Sequence, residues 1–326
     1  MFKRRIFGCL AAAVLTVGCF YGSAWADNIL TVPDKGLVLQ GAAKQEYMAN
    51  YFANALKEKA TSFVVPEGWQ QNVLSFENFT SEHFHRENSL QDKAILFLHG
   101  GAYVGKADNG YRLLCLKEAE LLGANDVFMP DYRLAPKYVY PAALEDAAIM
   151  YQSMLEAGYD PKKIVFVGDS AGGNLAVSLA VYIRENNMPQ PAALVLASPW
   201  GTMENKKGTS RYYNVHKDVI VGEGTPFYPA VLKAEYRGGL SRRSPLVSPI
   251  YSDLRGLAPM LIQAGGNELL LTECQQLAEQ AAKCGVEVTL TVYSEMPHDF
   301  ALVFPDMQES INSFKEMQNF VSRHMD

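Results

Sequence analysis

From about Ile95 to the end of the chain, short apolar runs alternate with stretches whose apolar residues recur at helical spacing. The runs are AILFLHG from Ala94, DVFMP from Asp126, KIVFVG from Lys163, ALVLAS from Ala193, PMLIQAG from Pro259 and VEVTLTVY from Val286. Between them the spacing predicts helices near Gly110–Leu122, Pro141–Ala157 and Ala171–Glu185, one over LTECQQLAEQAAKCG, and a last one near Asp306–Arg323. Continuously apolar strands are buried on both faces, which is what a mostly parallel sheet between two helical layers demands. The weaker strand character of Val73–Arg86 predicts an antiparallel edge hairpin.

Two segments break this alternation. Residues 35–62 carry Leu37, Leu39, Tyr47, Tyr51, Phe52 and Leu56 at helical spacing ahead of the sheet. Residues 201–245 hold many charged, Gly and aromatic residues and no strand–helix repeat. A structureless loop of that length does not suit a compact domain, so both read as helical additions to the sheet. Without an internal repeat or a Pro/Ser/Gly-rich linker, the expectation is one domain over 27–326, with cap elements at about 35–62 and 201–240.

The chain has 326 residues, 48% hydrophobic and 20% charged, enough apolar material to exclude a disordered protein. Lys3, Arg4 and Arg5 precede an apolar run from Ile6 to about Tyr21, and Ala24-Trp25-Ala26 follows. This is the pattern of a secretory signal peptide cleaved after Ala26. An uncleaved anchor and a lipid-modified Cys19 are the alternatives, but the apolar run is short for a membrane span and Thr16 stands where a lipoprotein signal usually has Leu. Cleavage leaves 26 basic against 35 acidic side chains, a net charge of −9. That balance argues against a nucleic-acid or anionic-membrane partner, and no stable span is expected in the mature chain. Of the five cysteines, Cys115, Cys274 and Cys284 remain. Cys274 and Cys284, ten residues apart on one helix, are ~15 Å apart at ~1.5 Å per residue, beyond disulfide reach. The three read as buried thiols, or as at most one pair involving Cys115.

Ser170 lies in Gly168-Asp169-Ser170-Ala171-Gly172, between the run KIVFV and a helix. A G-x-S-x-G in that context holds a serine on a tight turn with Oγ above the sheet. His99-Gly100-Gly101 follows AILFL, and the backbone N–H groups of Gly100 and Gly101, with that of Ala171, form a candidate oxyanion hole. His99 reads as a structural residue at the strand end. His298 in Met296-Pro297-His298-Asp299-Phe300, just past VEVTLTVY, is the candidate general base, after the chain order Ser, acid, His. Glu268 is the carboxylate immediately beyond PMLIQAG and the candidate acid, with Glu273 one turn on as the alternative.

These residues resemble the hormonesensitive-lipase-like group of α/β hydrolases, the α/β-hydrolase fold-3 family. Four blocks over about 70–325 carry the resemblance: HGGAY at 99–103, DYRLAPKYVYPAALED at 131–146, GDSAGGN at 168–174 and SPLVSPIYSDLRGLAPMLIQAGGNELLL at 244–271. The resemblance implies an α/β-hydrolase fold with a mostly parallel eight-stranded sheet, a helical cap, and carboxylester hydrolysis by a Ser-acid-His triad without metal or cofactor. In the commoner pattern A-G-x-x-D-x-L the acid falls where this chain has Glu268. The resemblance makes Asp131, Arg133 and Pro136 structural and Asp169 a loop brace. Tyr103, Trp200, Tyr212, Tyr213 and Phe227 are candidates for an acyl pocket, with ordinary packing within the cap as the alternative for each. The partner implied is a small-molecule ester; oligomeric state stays open, dimers through the last strand and helix being common among similar proteins. An amidase or peptidase on the same fold, and a non-catalytic small-ligand binder, are the alternative functions.

Overall fold

A computed structural model describes residues 30–57, 62–87 and 92–325; the expected signal segment lies outside the described residues. In chain order the elements are α1 (Gly41–Ala55), β1 (Trp69–Ser75), β2 (Thr80–Arg86), β3 (Ala94–Leu98), α2 (Asn109–Leu122), β4 (Asp126–Asp131), α3 (Ala142–Glu156), β5 (Ile164–Asp169), α4 (Ser170–Glu185) and β6 (Ala193–Ala197). They continue with the short helices α5 (Ser210–Tyr213) and α6 (Tyr228–Lys233), then β7 (Met260–Gly265), α7 (Leu271–Lys283), β8 (Val288–Tyr293), α8 (Phe300–Val303) and α9 (Gln308–Val321).

The strands form one eight-stranded sheet in the order β1-β2-β4-β3-β5-β6-β7-β8. β2 runs antiparallel to both β1 and β4, and every other pairing is parallel. The expected edge hairpin is therefore β1–β2, joined to the parallel strands through β4. β3, β5 and β7 are buried along their whole length, as the unbroken apolar runs require. α2 packs with α9 and α3 with α4, the helical layers that cover the sheet. Among the described residues no helix is long and apolar enough to cross a membrane. Cys115, Cys274 and Cys284 are free thiols.

Parallel strands bring their carboxyl ends to one edge of the sheet, where the following loops converge. Here those loops carry His99 after β3, Ser170 after β5, Ser198 after β6, Glu268 after β7 and His298 after β8. Above that edge lies the segment between β6 and β7, with α5, α6 and irregular turns in place of any strand. α1 joins it: Phe52 meets Phe227 at 6.5 Å between ring centroids, and Tyr51 meets Phe304 at 5.5 Å.

Candidate active site

Ser170 opens α4 directly from β5 at φ 50, a left-handed conformation that non-glycine residues seldom adopt. Two missing Cβ atoms permit the turn. A Cβ on Gly172 would stand 1.8 Å from the Leu98 carbonyl oxygen, and one on Gly168 would stand 2.6 Å from the Gly172 backbone. The helix therefore starts against β3 and β5 at a distance only glycine allows.

His298 Nε2 lies 2.9 Å from Ser170 Oγ and 3.1 Å from an Asp299 carboxylate oxygen. One nitrogen cannot serve both at once in a neutral ring: it accepts the serine proton or donates to Asp299. Burial alone would push the imidazole down, but the adjoining Asp299 carboxylate, with Glu268 and Asp218 beyond it, raises it to about 10. His298 Nδ1 has no hydrogen-bond partner among the described residues.

Glu268 is fully buried. Its Oε2 accepts from the Ser198 hydroxyl at 2.6 Å and the Gly265 N–H at 2.7 Å, while Oε1 lies 3.3 Å from the Cys274 thiol. Burial pushes this carboxyl up to about 7, against the pull of the His298 charge and these donors. Glu268 thus reaches His298 through its charge rather than through a hydrogen bond. Glu273, the alternative acid, is occupied elsewhere: one oxygen pairs with Arg211 and the other accepts from the Thr202 N–H.

On the oxyanion side the structure corrects one expectation. The Gly100 N–H donates to Asp169 Oδ1 at 2.9 Å, so it is not turned toward Ser170. The residues of this loop that line the cavity beside Ser170 are Gly101 and Ala102, both left-handed, at φ 98 and 53. Asp169 also accepts from the Tyr111 hydroxyl at 2.8 Å, and α2 delivers that tyrosine from a first turn capped by Asp108. Burial and the nearby Asp299 charge push Asp169 well above the usual carboxylate range. It is the brace of the oxyanion loop. His99 is fully buried, stacked on Tyr132 at 4.3 Å, and burial lowers it to about 4, which keeps it neutral.

A narrow cavity of about 40 Å³ opens at Ser170 and His298, walled by Ile220, Val221, Phe227, Val231, Leu302 and Val303. Of the five aromatic residues considered from sequence, only Phe227 lines it. Tyr103 is buried in a stack on Tyr236 with its hydroxyl on Asn174, Trp200 is buried, and Tyr212 and Tyr213 face solvent. Asp299, Asp218, Ser198 and Ala102 were not singled out from sequence; Asp299 had a local signal in its place beside His298, and Ala102 in its place after Gly101 within HGGAY.

Residues 95–302 match the alpha/beta hydrolase fold family. The chain is 34% identical over 245 residues to an acetyl-hydrolase of Streptomyces hygroscopicus, covering 75% of this chain and 79% of that one. It is 30% identical to an esterase of Acinetobacter venetianus, over 68% and 73% of the two chains. The crystal structure of an esterase from the bacterial hormone-sensitive lipase family superposes with a TM-score of 0.77 at 30% identity, over 88% of this chain and all of that one. The chain belongs to the α/β-hydrolase fold family and, within it, to the hormone-sensitive-lipase-like carboxylesterases.

Proposed function

We propose that the chain is a serine carboxylesterase that hydrolyses esters of small to medium acyl groups through an acyl-enzyme. The observation that carries this reading is the 2.9 Å approach of His298 Nε2 to Ser170 Oγ at the mouth of an apolar cavity. Ser170 attacks the ester carbonyl while His298 takes its proton and then passes it to the departing alcohol. The tetrahedral oxyanion is held by backbone N–H groups of Gly101, Ala102 and Ala171, with Ala102 in the place first given to Gly100. A water that yields its proton to His298 then attacks the acyl carbon, the bond to Ser170 Oγ breaks, and His298 returns the proton to Oγ as the carboxylic acid departs. Glu268 stabilises the imidazolium electrostatically.

Turnover of p-nitrophenyl acetate and butyrate by the wild type and by Ser170→Ala tests this. Activity should vanish with Ser170, and a fluorophosphonate probe should label the wild type at that residue alone. Turnover that survives Ser170→Ala removes the assignment. Equal turnover of an acyl anilide would move the reading to an amidase.

A further inference from the structure

The loop that carries Glu268 is held from outside the sheet. Ser210, Asn214 and Asp218 are spaced four residues apart in the segment above the site, and all three are buried. The Ser210 hydroxyl donates to the Leu269 carbonyl at 2.8 Å and accepts from the Thr272 N–H at 2.9 Å. Asn214 Nδ2 donates to the Glu268 carbonyl at 3.0 Å and the Gly266 carbonyl at 3.2 Å. Asp218 Oδ2 accepts from the Leu269 N–H at 2.6 Å. Its Oδ1 accepts from Ile220 and Val221 at 3.0 and 3.2 Å, and stands 3.5 Å from the His298 N–H. Main-chain groups on both sides of Glu268 therefore find their partners in three side chains of the overlying segment. Buried backbone groups need such partners, and between the end of β7 and the start of α7 neither ladder nor helix supplies them. The same segment contributes Ile220 and Val221 to the cavity wall.

We propose that Asp218, Asn214 and Ser210 are positioning residues through which the lid segment holds the acid loop, so that one segment both shapes the acyl cavity and sets Glu268 against His298. This rests on the catalytic reading above. Asp218 has a second effect. The titratable groups facing it are His298 from the loop after β8 and Glu268 from the loop after β7; its other partners are N–H dipoles. Its charge is one of those that raise the imidazole. A base works only above its own pKa, so removing that charge moves the acid limb of the rate profile to lower pH.

The test is the pH profile of kcat and KM for p-nitrophenyl acetate, on the full chain, for Asp218→Ala, Asp218→Asn and Asn214→Ala beside the wild type and Ser170→Ala. A displacement of ~1 Å in a catalytic group costs on the order of a hundredfold. Asp218→Ala should lower kcat by about that factor with KM little changed. Asp218→Asn keeps an oxygen for the Leu269 N–H but turns an amide NH2 toward the Ile220 and Val221 N–H groups, and should recover part of kcat with the acid limb moved down. A folded Asp218→Ala with wild-type kcat and an unmoved limb overturns the proposal, as does an Asp218→Asn no better than Asp218→Ala. Should Asp218→Ala not fold, Asn214→Ala decides: a kcat loss of about tenfold or more supports the role and an unchanged kcat overturns it. Turnover surviving in Ser170→Ala would instead remove the catalytic reading itself, whatever Asp218 does.

Discussion

The hydroxyl of Ser198 donates to Glu268 at 2.6 Å from a residue held at φ 44 at the end of β6. Its oxygen also accepts from the Asp299 N–H at 3.1 Å, which leaves its own proton for the carboxylate. One side chain thus links the loops after β6, β7 and β8. A hydrogen bond to a charged group is worth ~1.5–3 kcal/mol, and ~1.4 kcal/mol is a factor of ten in rate. Ser198→Ala should therefore lower kcat/KM about tenfold or more, since the hydroxyl is among the groups that hold Glu268 down. Ser198→Gly suits the left-handed backbone better and should lose the same activity. Wild-type rates in both variants would show that the hydroxyl does not serve the reaction.

Asp299 shares Nε2 of His298 with the Ser170 hydroxyl, and its charge is the largest influence raising that imidazole. Because the raised group must lose its proton before it can accept one, activity should climb from neutral into alkaline pH. Asp299→Asn keeps the shape and removes the charge. Its acid limb in kcat/KM should fall by about one pH unit or more, ~1.4 kcal/mol per unit. A limb that stays in place would mean that Asp299 does not face the imidazole in solution.

Phe227 walls the cavity from the lid and rests against Phe52 of α1. Phe227→Ala opens that wall to longer acyl chains. Each methylene that gains an apolar contact is worth ~0.8 kcal/mol, so hexanoate relative to acetate should gain roughly fourfold in kcat/KM per methylene accommodated. A chain-length series of p-nitrophenyl esters reads this directly, and an unaltered profile would put the acyl group elsewhere.

Gly172→Ala should yield no native enzyme. The added methyl stands 1.8 Å from the Leu98 carbonyl oxygen, a backbone atom, and neither β3 nor α4 can yield without moving Ser170. Overpacking of flexible side chains costs ~1–3 kcal/mol, and a rigid clash of this kind costs more. Circular dichroism and thermal unfolding of the variant are the measurements; a cooperative transition at the wild-type temperature would contradict the packing.

The parallel strands were legible in the sequence because burial on both faces leaves a run of four or five apolar residues that no surface element shows. Ser170 stood out because it follows such a run directly, and His298 because it lies five residues past β8, a half-exposed edge strand whose apolar residues alternate with Thr. Gly100 was misread because the direction of an N–H depends on the φ of the next residues and on an acceptor 69 positions away, Asp169. Tyr212 and Tyr213 were misread for a related reason: the lid segment has no period from which an inward face can be told. Asp218 left no local signal at all, since the groups it holds lie 51 and 80 residues further along the chain.

The Asp169 carboxylate ties the loop after β3 to the turn after β5, and it does so with the residue immediately before Ser170. The Ser170 half of the site is thereby owned by two adjacent central strands. The Glu268 and His298 half is suspended partly from the lid through Asp218, Asn214 and Ser210. Changes in the lid then have two separable costs: they alter what enters, and they detune the base, while the point of attack stays fixed. A drift toward bulkier esters would be recorded first in an acid limb displaced to lower pH, because a lid that loosens Asp218 releases part of what raises the imidazole.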